Sequence, residues 1–315
     1  MSGPVGVLAM SYGTAAGPED VERYYTDIRG GRPPSPEALA ELLARYEAIG
    51  NRFPLTEITL AQARGLEEEL ARAEPGGFRV YVGMKHSPPF IRDAVARMRA
   101  DGILRAVGLV LAPHYSRLSV GTYVERVRAA LAESPGGPQF TFVESWYGHP
   151  PFVEFLASRV AEALARLPEE ARGRSVVVFT AHSLPARILD EGDPYPRQLE
   201  ETAALVSARL GLAHVRTAWQ SAGRTPEPWL GPDLGEVIEE AAAQGYRGVV
   251  VCPCGFVADH LEVLYDLDIE AAGVARAAGL AFVRTESPNA HPAFVRALAG
   301  VVLAHLGRIP AEARP

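Results

Sequence analysis

Three acidic side chains recur at every fourth position near the end of the chain, after a wholly apolar run. Glu262, Asp266 and Glu270 would lie on one face of a helix, about 6 Å apart in rise. Their oxygens are ligands for divalent cations, although carboxylates bind Fe(II) more weakly than thiolates do. A solvated acidic face fits the same spacing. If these residues bind metal, the arrangement favours passing an ion along over storing it.

A histidine follows a second apolar run, in the segment Thr180-Ala-His182-Ser-Leu-Pro185. Histidines at the ends of buried strands are often structural, and that reading stays open. If the strands that precede His182 and Glu262 belong to one parallel sheet, both side chains face one cleft at its carboxyl edge. Such a pair can hold a divalent cation or move protons near neutral pH.

Two further groups bear on a metal site. His86 follows the apolar run Phe78 to Met84 and stands beside Lys85, the only lysine of the chain. It could reach the same cleft, or it could be a loop histidine without a role. Cys252 and Cys254 are two thiols where a tetrahedral thiolate site needs four ligands. We expect them to be small buried strand residues.

Arginines and tyrosines are interleaved near the start of the chain. Guanidinium groups match carboxylates, and tyrosine rings cover flat ring faces, so the pattern favours a flat aromatic ligand that carries carboxylates. Solvated helix faces would explain the arginines equally well. The residues are Tyr12, Arg23, Tyr24, Tyr25, Arg29, Arg32 and Arg45, with Tyr123 and Trp229 adding aromatic surface farther along.

Composition excludes several classes of protein. The 315 residues are 48% hydrophobic and 22% charged, with a net charge of −7, which is typical of a globular protein and argues against nucleic-acid binding. The sequence contains no polybasic membrane patch, transmembrane segment or recognisable signal peptide. We therefore expect a cytoplasmic protein without an integral membrane segment.

Apolar runs of strand length alternate with amphipathic helical stretches along the whole chain, a rhythm typical of parallel sheets covered on both faces. The length exceeds what one core usually fills. We place a domain boundary in the polar stretch 168–174, with Asp259 as the N-cap of the helix that carries the acidic residues. Neither a Gly-x-Gly-x-x-Gly nor a Walker-type loop is present, so the two nucleotide-binding fingerprints are absent.

Taken together, the motifs resemble those of ferrochelatases, most closely the coproporphyrin ferrochelatases of Gram-positive type. The resemblance covers the chain from Tyr12 to the last helix. It implies an α/β fold of two Rossmann-like domains, each a parallel four-stranded sheet flanked by helices, with a porphyrin in the cleft between them. The domains would span 1–170 and 171–315, with the last helix packing back on the first domain. The motifs are Tyr-Gly-Thr, Leu-Ala-Pro-His-Tyr-Ser, Thr-Ala-His-Ser-Leu-Pro, Trp-Gln-Ser and Gly-Phe-Val-Ala-Asp-His-Leu-Glu-Val-Leu-Tyr-Asp.

The resemblance also implies residue roles. His182 and Glu262 would be the catalytic pair and metal ligands, and Asp266 and Glu270 would continue the metal path on a locally π-wound helix. An outer metal site would use His86. Substrate contacts would come from Tyr12, Arg29, Arg45, Lys85, Tyr123 and Trp229. Two positions depart from the family pattern, because Gly30 stands where an arginine is expected and Phe53 where a serine is expected.

The implied reaction is the insertion of Fe(II) into a free-base porphyrin, most closely coproporphyrin III, in heme synthesis. Iron and porphyrin are then the substrates, and we expect no tightly bound cofactor and no [2Fe-2S] cluster, since the chain lacks the cysteines for one. We expect a monomer that makes transient contact with the next enzyme of heme synthesis. Three alternatives stay open: insertion into protoporphyrin IX, a cobalt or nickel tetrapyrrole chelatase, and a non-catalytic tetrapyrrole-binding module.

Overall fold

The first half of the chain forms a four-stranded parallel sheet. The computed structural model describes residues 3–133, 135–223 and 225–308. The strands are β1 (Val5–Ser11), β2 (Phe78–Met84), β3 (Arg105–Val110) and β4 (Gln139–Val143), in the order β2-β1-β3-β4. The central strand β1 is buried along its whole length, because helices cover both faces.

The helices of this half begin with a 3₁₀ turn at Pro18–Asp20 and include a π-helix at Arg117–Gly121. Ser35 caps α2 as its sequence suggests: its hydroxyl accepts from the Ala38 amide, and Pro36 occupies the first helical position. The α-helices are α1 (Val21–Ile28), α2 (Pro36–Ala48), α3 (Leu55–Ala73), α4 (Ile91–Ala100), α5 (Thr122–Glu133), α6 (Pro150–Arg166) and α7 (Glu169–Arg172).

The second half repeats this architecture. Its sheet has the order β6-β5-β7-β8, formed by β5 (Ser175–His182), β6 (Val215–Gln220), β7 (Gly248–Cys252) and β8 (Ala281–Arg284). A 3₁₀ turn occupies Ala186–Ile188 and a π-helix Asp266–Ala271. The α-helices are α8 (Tyr195–Leu210), α9 (Leu234–Ala243), α10 (Leu261–Leu264), α11 (Ala272–Ala277) and α12 (Pro292–His305).

The strand order places a topological switch at the same point in both sheets. The chain leaves β1 toward one side and β3 lies on the other, and β5 and β7 repeat this arrangement. Ligands of open α/β sheets bind at the carboxyl ends of such neighbouring strands. The prediction of parallel α/β sheets is confirmed, and the ends of β5 and β7 are where a site is expected.

The last helix ties the two halves together. It packs against α3 and α6, both in the first half, and the Phe294 ring lies 6.1 Å from the rings of Trp146 and Phe152. A Cβ atom at Gly65 of α3 would lie 2.9 Å from Val295, so glycine allows the close approach. One apolar core therefore contains side chains from both sheets.

One local prediction is wrong, because Asp259 does not cap the acidic helix. Its carboxylate instead accepts from Ser287 and Asn289, and α10 begins after His260. Within the polar stretch 168–174, the four-residue helix α7 follows Pro168. No helix within the described ranges has the length and hydropathy to cross a membrane.

Candidate active site

His182 and Glu262 lie together at the carboxyl edge of the second sheet. His182 is the last residue of β5, and the loop after β7 leads into α10, which carries Glu262. The distance from His182 Nε2 to Glu262 Oε1 is 3.5 Å, and about a third of each side chain is exposed, 32% and 34%. The proximity expected from the sequence is observed, and both groups are open to solvent or ligand.

The backbone orients the imidazole of His182. Its Nδ1 is hydrogen-bonded to the Ser183 carbonyl, which can only accept, so Nδ1 carries the proton. Nε2 therefore faces Glu262, and in the neutral ring it holds a lone pair. That nitrogen can accept a proton or bind a cation.

A second histidine, His260, completes the group and was missed from the sequence. Its Nε2 lies 3.5 Å from Glu262 Oε2, and its Nδ1 lies 2.9 Å from the Ala258 carbonyl. Residues two apart do not face each other in a helix, but His260 is extended, with φ −159° and ψ −179°. The sequence signal was the histidine of Asp-His-Leu-Glu. The Glu262 carboxylate consequently lies between two imidazoles.

Charge interactions dominate this cluster. Burial alone would raise the pKa of Glu262, but His182 and His260 outweigh it and hold that pKa below its ordinary value. Burial would likewise lower the pKa of each histidine, and Glu262 instead raises both. The carboxylate therefore stays ionised and favours a positive charge, either a proton or a metal ion, on the neighbouring rings.

Asp266 opens the π-helix and is 7% exposed. Arg45 of α2 forms an ion pair with it, and the Ser221 hydroxyl donates to its other oxygen. Ser221 has φ +60°, an uncommon conformation for serine that directs the hydroxyl to this carboxylate. Burial raises the pKa of Asp266 to about 6, with Glu262 and Glu270 adding to the rise and Arg45 and Ser221 opposing it.

Glu270 lies in the same π-helix and is exposed to solvent. Its amide donates to the Tyr265 carbonyl five residues earlier, so the π-winding that the resemblance implies is confirmed. The acidic residues consequently run from the half-buried Glu262 through the buried Asp266 to the surface. In the part of the chain that the structure describes, no three His, Cys, Asp or Glu side chains are arranged to hold one metal ion.

His86 does not contact the His182 and Glu262 pair. It is 4% exposed, its Nδ1 lies 2.6 Å from Asp27, and its ring packs 4.5 Å from that of Tyr12. Burial lowers the pKa of His86 to about 4, with Lys85 and Arg126 adding to the shift and Asp27 opposing it. An outer metal site at His86 is therefore separate from the histidine cluster.

The other predicted substrate contacts fall into three places. Trp229 lies beside His182, with 6.5 Å between the ring centres. Tyr12 and Tyr123 lie around Lys85 in the first half. Burial, followed by the charge of Glu262, raises the pKa of Tyr12. Arg29 is exposed over the Tyr25 ring.

The two departures from the family pattern have no charged role here. Phe53 stacks on Tyr46 at 4.3 Å, and Gly30 is exposed with φ +65°. Neither position offers a group that binds a carboxylate through its side chain. Carboxylates of a ligand would have to find cations elsewhere.

The ferrochelatase family model matches residues 4–306. The coproporphyrin III ferrochelatase of Geobacillus kaustophilus is 50% identical over 300 residues, 95% of each chain. That of Bacillus subtilis is 49% identical over 306 residues, 96% of this chain and 98% of the relative.

Solved structures with the same fold include SirB from Bacillus subtilis with Fe³⁺, with a TM-score of 0.60, 13% identity and coverage of 95% of this chain and 94% of that one. The sirohydrochlorin chelatase SirB from Bacillus subtilis subspecies spizizenii, in complex with cobalt, has a TM-score of 0.55, 12% identity and coverage of 97% and 94%. At these identities the likeness shows the fold.

Proposed function

Because the chain belongs to the ferrochelatase family, we propose that it inserts Fe(II) into coproporphyrin III in heme synthesis. Relatives named for this reaction are about half identical over nearly the whole length. The observation that carries the assignment of the site is Glu262 between two imidazoles whose Nε2 atoms both face it. The family favours an enzyme over a non-catalytic binding module.

Metal insertion requires that two pyrrole N–H protons leave the macrocycle and that Fe(II) loses its water. We assign His182 Nε2 to the face of the macrocycle, where it accepts a proton or passes the metal. Glu262 stabilises the imidazolium that results, and His260 holds the second oxygen of Glu262 in place. The aromatic side chains Tyr12 and Trp229 would enclose the ring.

We assign Asp266 and Glu270 to iron supply. Glu270 is exposed and Asp266 is buried toward Glu262, so hard oxygen ligands lie in sequence between solvent and the histidine cluster. Oxygen ligands bind Fe(II) weakly, which suits transfer. The His86 and Asp27 pair is proposed as the outer metal site.

Three further expectations remain proposals. We place the division between the halves near residue 170, since α6 and β4 precede it and β5 follows. We also place the enzyme in the cytoplasm, without a resident cofactor. A monomer with transient contact to the next enzyme of the pathway completes the proposal.

A spectrophotometric assay with anaerobic Fe(II) tests this function. We expect coproporphyrin III to lose its four free-base visible bands and gain two, with a kcat/KM at least tenfold above that for protoporphyrin IX. Cobalt and nickel should be run in parallel, because imidazole and carboxylate ligands discriminate poorly among first-row ions. A higher kcat/KM for protoporphyrin IX, or turnover with cobalt or nickel but not iron, would contradict the proposal.

A further inference from the structure

A cavity of about 520 Å³ lies in the first half, beside the proposed ring site. Its lining includes Tyr12, Lys85, Thr122, Glu125 and Arg126, and also His86 of the proposed outer metal site. Tyr12 lines this cavity, and the proposed function places the same side chain against the macrocycle. A macrocycle that covers Tyr12 would therefore bring its periphery to the cavity.

Two cations share this cavity. Lys85 Nζ donates to the Thr122 hydroxyl at 2.8 Å, and Arg126 Nη1 donates to the Lys85 carbonyl at 2.5 Å. Both interactions are with neutral oxygens. Among the described residues, no carboxylate lies within 4 Å of the Lys85 ammonium or the Arg126 guanidinium. Burial and the charge of Arg126 lower the pKa of Lys85 to about 8, and Glu125, which lines the same cavity, opposes that shift from beyond 4 Å. An anionic ligand would supply the two cations with a closer counter-ion.

The aromatic rings beside the two cations favour a flat ligand. The Lys85 ammonium lies 5.6 Å from the centre of the Tyr12 ring and 5.3 Å from that of Tyr123. Aromatic faces next to cations suit a molecule that presents a flat ring with carboxylates at its edge. Arg126 can additionally form paired hydrogen bonds with a carboxylate through its free nitrogen atoms, which an ammonium cannot.

We propose that Lys85 and Arg126 bind a peripheral carboxylate of the tetrapyrrole, and that Arg126 thereby sets the preference for coproporphyrin over protoporphyrin. The inference rests on the proposed function and names its specificity determinant. Coproporphyrin III has propionates at four positions. Protoporphyrin IX has vinyl groups at two of them, so one of its apolar substituents would face the cations and leave them without a counter-ion.

The test compares Arg126→Gln with Arg128→Gln, an exposed arginine of the same helix that does not line the cavity. For Arg126→Gln, the Kd and KM for coproporphyrin III should rise about tenfold, while the KM for protoporphyrin IX stays within twofold and kcat is unchanged. Arg126→Lys should recover part of the loss. Arg128→Gln should behave as wild type with both porphyrins.

Porphyrin Kd values come from quenching of protein fluorescence without metal, so the cavity is tested even if the wild-type protein inserts no iron. Absence of insertion by the wild-type protein would contradict the proposed function, whereas the binding result would still decide the role of Arg126. Equal losses for both porphyrins, or no loss for coproporphyrin, would overturn the inference. Circular dichroism spectra and melting temperatures that match wild type would confirm that Arg126→Gln is folded.

Discussion

Single side chains at this site are held by partners that leave one reactive atom free. The Ser183 carbonyl accepts a hydrogen bond from His182 Nδ1, and the Ala258 carbonyl accepts one from His260 Nδ1. Each Nε2 atom then lies 3.5 Å from an oxygen of Glu262. A neutral imidazole and a carboxylate present lone pairs to each other, so a proton or a cation between them is favourable. The geometry thus favours groups that take positive charge from a substrate.

We predict that His182→Ala abolishes iron insertion, because no other atom at the end of β5 offers the same lone pair. Porphyrin binding should change by less than about tenfold, or roughly 1.4 kcal/mol, since we propose that aromatic and cationic side chains elsewhere hold the ring. Turnover and fluorescence titration measure the two effects. His214→Ala, at an exposed position, is the control, and near-normal turnover of His182→Ala would remove His182 from the mechanism.

Asp266→Ala and Glu270→Ala should each raise the Fe(II) concentration needed for half-maximal rate, with a smaller change in kcat. The reason is that each variant removes an oxygen ligand between solvent and Glu262. Initial rates across an iron series provide the measurement, with the exposed Glu239→Ala as control. An unchanged iron dependence in both variants would mean that these carboxylates do not supply iron.

The sequence identifies His182 and Glu262 because each follows a buried apolar run, and strand ends of one parallel sheet meet at one edge. It does not reveal His260, because helical spacing separates this residue from Glu262 and only the extended backbone brings them together. Nor does it reveal that Arg45 engages Asp266, since 221 residues separate them. Roles assigned by resemblance remain predictions.

Among the elements, the π-helix depends on a neighbouring strand. Arg284 ends β8 and binds Asp268 of the π-helix through two contacts, Nε to Oδ1 at 2.7 Å and Nη2 to Oδ2 at 3.0 Å. The same guanidinium lies 3.6 Å from Asp259, next to His260. Its side chain is 14% exposed, so one partly buried cation joins the two segments that carry the acidic residues and the second histidine.

Arg284→Gln should therefore loosen both segments. We expect the free energy of unfolding to fall by roughly 1–3 kcal/mol, because the partly buried Asp259 and the exposed Asp268 both lose a charged partner. The KM for iron should rise more than the KM for porphyrin, since the π-helix that carries Asp266 and Glu270 is displaced rather than the residues proposed to contact the ring. Urea denaturation and steady-state kinetics test this, with the exposed Arg276→Gln as control. Equal changes in both KM values would contradict this link to the acidic residues, whereas a general loss of folded enzyme would lower the apparent kcat and leave both KM values unchanged.

The sequence predicts which kinds of secondary structure form, but it does not predict the order of the strands in each sheet or the cap of α10. Strand length and alternation with helices identify parallel sheets, and Ser35-Pro36 marks a helix start that the structure confirms. The sheet order is not encoded locally, because every buried parallel strand is a similar apolar run. Asp259 was misjudged for a related reason: Ser287 and Asn289, distant in sequence, compete for its carboxylate.

Across the whole molecule, a polar contact joins the loop after β3 to α8. Thr202 donates its hydroxyl proton to the Gln198 carbonyl, so its oxygen accepts from His114 Nε2 at 2.8 Å. His114 Nδ1 is buried and has no hydrogen-bond partner among the residues that the structure describes. Burial lowers the pKa of His114 to about 3, because a proton on Nδ1 would have no acceptor.

Acid should therefore weaken the fold through His114. The pKa of His114 is about 6.5 in the unfolded chain and about 3 in the folded one. As the pH falls below 6.5, the unfolded chain binds a proton that the folded chain does not, so the free energy of unfolding decreases. At pH 5 this group should have lowered the free energy of unfolding by about 2 kcal/mol. His114→Gln should show a shallower dependence in urea titrations between pH 7 and 5, with His305→Gln as control. Parallel curves for wild type and His114→Gln would contradict the assignment.

Arg45 of the first half and Asp266 of the second form an ion pair. When no substrate is bound, each side chain therefore occupies the binding group of the other, and the pair competes with both substrates. A carboxylate of an arriving macrocycle would draw Arg45 away and release Asp266 for the cation. Each substrate would then strengthen the binding of the other by one common factor, as thermodynamic reciprocity requires.

In the wild-type protein, the apparent affinity for porphyrin should increase as the iron concentration is raised. In Arg45→Gln the apparent affinity should not depend on iron. If the dependence persists in Arg45→Gln, the coupling between the two substrates does not pass through this ion pair.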